Sequence, residues 1–579
     1  MSLLKFLSRP NFYILWIWRI INVLSIHTFF QADEFWQSLE PAHVKVFGYG
    51  QLTWEWELGI RGYLFPFLFE ICYRIVKFVT TTLADLFDLD EVVLSTIEYY
   101  GVLICPKLLM ATIAAVGEYH MILLVRKVYI LSMRHHRDDD NNDKKNRDDN
   151  KSSDHYYCTL EQLTLVANII SMTNFFNWFA MTRTFVNSFE MALTSVALCY
   201  WDWTGGSYIE SNTFTLSLFW AMISCFVRVS NGLIWSILGG FLILSIMKKR
   251  DISKIGTLFK KIIETFIIVF VINIAVDYYF YGYLIFPIFR FLKFNFTSPL
   301  SQFYGTAPWN FYLFQGIPIV TGSALIPLIY GMHHSLSSRA TSEIMYAPFV
   351  QMKFVVLLNI IVFSTLAHKE FRFIYPLQPL FMVIATFGYY RIRVILSSWS
   401  KLLNIVTSLI VAATLLSAIV VSVYHESGVI SVIEYLHEIP HIESIGFIMP
   451  CHSTPWQSHL HRNDIHDLWA ISCEPPIHLL DDPDASNKLK YYMDESDYLY
   501  NDIPKFIKDH MVDNKISQDT NIHEWPEYLV LFHHMDDKFM HDYLKDSAYI
   551  EEKRFFNSLG HWDSRRAGDV IMYHKSLIL

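Results

Sequence analysis

Apolar runs of nearly twenty residues recur along this chain, and very few architectures can bury them. LIWSILGGFLILSIM (Leu233–Met247) and LLNIVTSLIVAATLLSAIVVSVY (Leu402–Tyr424) are two examples. As a helix, a run of about 20 apolar residues crosses a hydrocarbon core of ~30 Å. Segments of this kind lie near 12–28, 105–130, 160–179, 187–203, 212–228, 232–247, 262–280, 317–332, 350–367, 374–390 and 402–424. One buried core helix would explain a single run. This many predict an all-α polytopic membrane protein. Only 17% of the residues are charged, where soluble domains carry about a quarter.

The first run has no small-residue cleavage site after it and reads as a retained signal-anchor. A net charge of −9 without a concentrated basic stripe argues against a nucleic-acid partner. The stretch 63–79 is apolar but carries Glu70, Arg74 and Lys77, which suits an amphipathic helix lying at the membrane interface. Basic connections sit on the cytoplasmic side of membrane proteins. Three are present, at Met133–Lys151, Met247–Lys261 and Tyr389–Lys401. The spans alternate consistently with all three in the cytosol if 63–79 does not cross. The insert at about 133–155 is hydrophilic and of low complexity, and it is predicted to be disordered. The lumenal side then receives segment 29–62, the loop 281–316, the motif at 368–373 and the tail 425–579. Residues 1–424 are thus expected to form a membrane bundle, and 425–579 a small lumenal domain.

Polar information is densest in HTFFQADEFWQSLEPAHVKVFGYGQLTWEWELGIRGY (His27–Tyr63). Asp33 and Glu34 follow the first span directly, where ionisable groups are expensive unless they face a cavity or a partner. Trp36, Tyr49, Trp54 and Trp56 offer flat apolar faces with polar edges, suited to sugar rings or to the headgroup zone. An aromatic belt with solvated acids would show the same spacing. A second cluster, HKEFRFIYPLQPL, places His368, Lys369 and Arg372 at the start of a span. Cations there suit a lipid phosphate, or they anchor a helix end by snorkelling. Arg183, Glu190 and Arg228 are expected to pair within the bundle. Seven cysteines are scattered without metal-ligand spacing, and the tail holds two, Cys451 and Cys473. In an oxidising lumen these two are expected to bridge. Asn295-Phe-Thr297 is a candidate glycosylation site on the lumenal side, and Asn150-Lys-Ser152 lies in the cytosolic insert.

FFQADEFWQSLEPAH, YGQLTWEWELGIRGYLFP and HKEFRFIYPLQPL resemble the signature segments of the dolichyl-phosphate-mannose-dependent mannosyltransferases of glycosyltransferase family 22. IMPCHSTPWQSHLH, with ISCEPP after it (Ile448–Pro476), resembles the tail of members acting on glycosylphosphatidylinositol (GPI) lipids. The resemblance implies a GT-C helical bundle in the endoplasmic reticulum membrane, with its active site at the lumenal face. It also implies dolichyl phosphate β-mannose as donor and a GPI intermediate with two mannoses as acceptor. The product would be the α1,2-linked third mannose. A β donor giving an α product requires inversion, most simply one in-line displacement. That needs one base for the acceptor hydroxyl and cations for the departing phosphate. Asp33 is the first candidate for the base, and Glu34 is the alternative. His368, Lys369 and Arg372, with Arg61, are expected at the phosphate. Trp36, Trp54, Glu55 and Trp56 are expected to shape the sugar site. This chemistry calls for no metal or cofactor. Other acceptors within the family, or a lipid or solute transporter, are the rival readings.

Overall fold

The computed structural model describes residues 7–143, 159–297, 300, 303, 305–333, 347–480, 482–513 and 522–576. The chain forms two compact units, each assembled from separated segments. One comprises Met1–Leu24, Lys107–Leu284 and Gly305–Ile419; the other comprises Ser25–Pro106, Ile285–Tyr304 and Val420–Leu579. The tail therefore shares its unit with the polar segment after the first helix, a grouping that a cut at Tyr424 does not convey.

The described residues of the first unit form helices and their connections with no strand, and every apolar segment assigned to it in the sequence contains helix. Among the described residues of the whole chain, six helical stretches are long and apolar enough to cross a membrane. They are Glu91–Ser132, Val229–Lys248, Tyr312–His333, Pro348–Thr365, Phe371–Ile395 and Ser397–Glu438. Helix Gln378–Ile395 is enclosed, with Gln378 to Gly388 all buried. Helix Ser400–Val423 is apolar yet largely exposed, as a lipid-facing helix is. Small residues bring backbones together. A Cβ on Gly117 would lie 2.7 Å from Cα of Ala192, so helices Glu91–Asp143 and Val186–Tyr200 pack there without a side chain between them.

Several boundaries differ from expectation. The helix of the first apolar run covers only Phe12–Leu24, about 20 Å at 1.5 Å per residue. The run 160–179 breaks at Asn174, and the run 317–332 breaks at Gly322, which has φ +52°. The two breaks satisfy each other. Asn174 caps its own helix by accepting from the Asn177 N–H (2.8 Å). Its side-chain amide donates to the Thr321 carbonyl (2.8 Å) and the Val320 carbonyl (3.2 Å). Disorder from residue 133 is corrected in part: with no glycine or proline after Gly117, the helix continues to Asp143. Residues 144–155 of that insert, including Asn150, lie outside the described residues.

The unit also buries a polar network. Arg19 grips Glu118 with a two-pronged contact, 2.7 Å on each arm, and both side chains are fully buried. Ser171 donates to Glu118 (2.6 Å), and Arg19 donates to Asn22 and to the Asn177 carbonyl (both 3.2 Å). Tyr375 and Gln378 close the network on the Asn177 side chain.

In the second unit, helix Leu64–Phe87 buries Phe65, Phe69, Cys72, Tyr73, Val76 and Thr80 on one face. Ile71, Ile75 and Phe78 are exposed on the other. Glu70 is buried as well, so the helix is not divided into an apolar and a polar face as read for 63–79. Segment 281–316, expected as a loop, contains helix Pro287–Thr297. Among its described residues the tail is an α/β body with seven strands: β1 (Ser444–Ile448), β2 (Asp467–Ala470), β3 (Met511–Val512), β4 (His523–Glu524), β5 (Tyr528–Phe532), β6 (Tyr549–Ser558) and β7 (Gly568–Lys575). Its main sheet runs β2-β1-β5-β7-β6. Strands β2, β1 and β5 are parallel, with Ile445 opposite Leu468 and Tyr528, while β7 is antiparallel to β5 and β6. Ile448, Leu529, Leu531 and Ile571 pack against Leu499, Phe506, Met535 and Met540 as its core.

Candidate active site

Asp33 stands where the chain turns into helix. The Ala32 carbonyl accepts from the Phe35 and Trp36 N–H groups. Residues Phe35–Leu39 are wound as a π-helix, and α-helix resumes over Glu40–Phe47 until Gly48, at φ +85°, ends it. π-Bulges recur at functional sites because they rotate the side chains on either side relative to one another. Asp33 is half-buried, and Glu34 is buried.

The aromatic residues of this segment are largely engaged in packing. Trp36 is buried; its indole N–H donates to the Thr454 carbonyl (3.1 Å), and its ring meets His452 edge-on and Trp456 at a tilt. Trp54 packs with Ile60, Phe294, Leu300 and Leu479, and Trp56 is 2% exposed. Glu55 is the polar centre instead. It accepts from Gln37 (2.8 Å) and from Arg61 (2.5 Å), so Arg61 carries a carboxylate partner within its own unit.

Further along the helix, Glu40 is fully buried and accepts from the Ser458 N–H (2.8 Å) and the Gln51 N–H (3.3 Å). Burial pushes its carboxyl up to about 7, against the lowering effect of those bonds. Gly50 makes the closure possible, since a Cβ there would sit 2.6 Å from the Glu40 carboxylate. His43 meets His461 at 2.9 Å and is kept neutral, pushed down to about 3 by burial and by the neighbouring His461. His461 reaches Glu98 at 3.2 Å. His452 is pushed down to about 4, by burial first and then by the Arg566 charge, with Asp33 acting in the opposite direction. Cys451 and Cys473 are joined as a disulfide, with Cα atoms 5.7 Å apart. Among the described residues, the metal-ligand grouping Cys451, His452 and Cys473 therefore offers one imidazole rather than two thiolates.

The second cluster belongs to the other unit. Glu370 is its hub. The carboxylate receives Arg372 through Nε (2.6 Å) and Nη2 (2.7 Å), and His368 through Nε2 (3.1 Å). Hydrogen bonding to Glu370 raises the His368 pKa above the ordinary range. Arg372 lies over the rings of Phe185 and Phe373, and Arg228 lies over the same Phe373 ring at 5.3 Å. Arg228 also pairs with Glu190 at 3.6 Å, while Arg183 donates to the Phe179 carbonyl. The Lys369 ammonium donates to the Ala307 and Leu366 carbonyls, at the end of helix Pro348–Thr365. Glu370 and Glu40 were inside the quoted motifs, but a carboxylate that orients other groups has no distinctive spacing. Asn295 sits exposed on helix Pro287–Thr297, its amide donating to the Phe291 carbonyl (2.9 Å).

The profile of the Alg9-like mannosyltransferase family matches residues 11–461. This chain belongs to that family. It is 47% identical over 600 residues to GPI mannosyltransferase 3 of Saccharomyces cerevisiae, covering 97% of this chain and 95% of that protein. It is also 47% identical to GPI mannosyltransferase 3 of Kluyveromyces lactis, covering 97% and 98%. The Candida albicans protein of that name is 35% identical, with 98% of each chain covered. Among solved structures, ArnT from Cupriavidus metallidurans bound to undecaprenyl phosphate aligns with a TM-score of 0.54 at 10% identity, covering 98% of this chain and 97% of that one. That likeness establishes the GT-C fold for this family member.

Proposed function

We propose that this mannosyltransferase transfers mannose from dolichyl phosphate mannose to the second mannose of a GPI precursor, forming the α1,2-linked third mannose. The reaction belongs to the lumenal face of the endoplasmic reticulum membrane. The observation that carries this reading is similarity to proteins named GPI mannosyltransferase 3 over 97% of the chain, tail included. In the proposed step Asp33 accepts the proton of the acceptor 2-hydroxyl as its oxygen bonds to C1 of the mannose. The C1–O bond to dolichyl phosphate breaks from the opposite side. Arg372 and His368, aimed by Glu370, take up the charge growing on the phosphate, with Arg228 beside them. Glu55, held by Gln37 and Arg61, suits the sugar hydroxyls. Dolichyl phosphate is a weakly basic leaving group, so no general acid is needed, and the partners are two lipid-linked sugars.

Depletion of the protein, followed by analysis of mannosylated lipids, tests this reading. A GPI intermediate with two mannoses is expected to accumulate, and purified enzyme with dolichyl phosphate mannose should convert it to the three-mannose form. Accumulation of an N-glycan lipid precursor instead would overturn it.

A further inference from the structure

Three contacts between the Asp33 helix and the tail share one offset. Trp36 meets Thr454, Glu40 meets Ser458 and His43 meets His461, each pair 418 residues apart. Positions 36, 40 and 43 lie four and three residues apart, the spacing of one helical face, and the tail segment that meets them is helical only over Gln457–Leu460. Phe35 adds an edge-on contact with His459 at 4.9 Å. Trp36 also meets His452 and Trp456, so several tail residues cover one face of this helix together. Each contact uses a different group: an indole N–H on a carbonyl, a buried carboxylate on a backbone N–H, and one imidazole on another. The family profile runs through residue 461, the last member of this set, and ends there.

We propose that residues 452–461 are a positioning element for the transfer reaction, clamping the helix that carries Asp33 through Trp36, Glu40 and His43. These are positioning residues, because they act through Asp33 and not on the sugar. The inference rests on the assignment of Asp33 as base. The clamp locks the turn on the C-terminal side of Asp33, across the π-helical stretch Phe35–Leu39. It therefore governs where the carboxylate points. A misplacement of about 1 Å costs on the order of 10²-fold in rate.

The test uses the full-length enzyme in detergent with Glu40→Gln, which keeps the shape and removes the carboxylate charge, and Trp36→Phe, which removes the N–H donor together with part of the buried ring. Backbone hydrogen exchange over residues 33–47, and kcat and KM for donor and acceptor, are measured together, with Asp33→Asn in parallel. Both clamp variants are expected to speed exchange over 33–47. Both should lower kcat by about tenfold or more while KM for the donor stays within about twofold. Faster exchange with unchanged kcat would overturn the proposal and leave a purely architectural contact. Unchanged exchange in both variants would overturn it as well. If Asp33→Asn keeps the parent rate, the base assignment fails instead, a distinguishable result.

Discussion

Asp33 and Glu34 are adjacent, and their surroundings separate them. Glu34 is buried, whereas Asp33 retains access, and a base has to reach an incoming hydroxyl. Asp33→Asn preserves shape and is expected to lower turnover by about 10²–10⁴-fold, measured with purified enzyme and both lipid substrates. The His368–Glu370 bond makes a second prediction, on pH. A histidine whose pKa is raised in the folded protein stays charged to higher pH, and its contribution is lost as pH rises through the raised value. Donor KM is therefore expected to rise on the alkaline side. Glu370→Gln removes the charge that favours imidazolium and should move that rise to lower pH. An unmoved limb would release His368 from the phosphate. Position alone made Asp33, His368 and Arg372 legible as candidates. Sequence could not show that Arg372 and His368 share one carboxylate, or that Lys369 serves backbone carbonyls.

At the scale of elements, the sequence announced helices well, because twenty apolar residues have few other uses. It did not announce what holds them together. Arg19 sits inside the first apolar run and its partner Glu118 is 99 residues later, a pairing with no local signature. Breaking such a buried pair by removing one member leaves an uncompensated charge, at a cost of about 3–5 kcal/mol. Arg19→Met should therefore lower thermal stability in detergent sharply, and adding Glu118→Leu should restore much of it. Equal losses in the single and double variants would show that other groups of the network carry the stability. The tail strands escaped notice for a different reason. YLVLF of β5 is buried at all five positions, so it lacks the alternation that marks a half-exposed strand. The bridge Cys451–Cys473 closes a span of 22 residues. Replacing either cysteine with Ser is expected to reduce folded yield more than turnover of the surviving enzyme. A loss of ~2–4 kcal/mol is typical of such a bridge. Non-reducing peptide mapping reads the linkage directly.

For the molecule as a whole, orientation in the membrane is the property on which the lumenal chemistry depends. A glycosidase-sensitive mobility shift assigned to Asn295, with none from Asn150, is the expected outcome. A glycan on Asn150 would reverse the orientation and make residues 63–79 a true span. The unit containing Asp33 draws on segments from three parts of the sequence, which explains why a linear division into bundle and tail was natural to read and incomplete.

The 418 residues that separate Glu40 from its partner Ser458 also have a meaning in time. Ribosomes add about 5–20 residues per second, so Glu40 and His43 reach the membrane roughly 20 to 80 s before Ser458 and His461 exist. Throughout that interval the carboxylate and the imidazole lack the tail groups they meet in the finished protein, and most of the helices are made meanwhile. The helix bearing the proposed base is therefore the earliest part of the machinery to be synthesised and among the last to be set. A nascent chain halted before residue 452 holds every motif up to His368–Leu380 and lacks the partner that fixes the first of them, so competence for sugar transfer arrives late in synthesis.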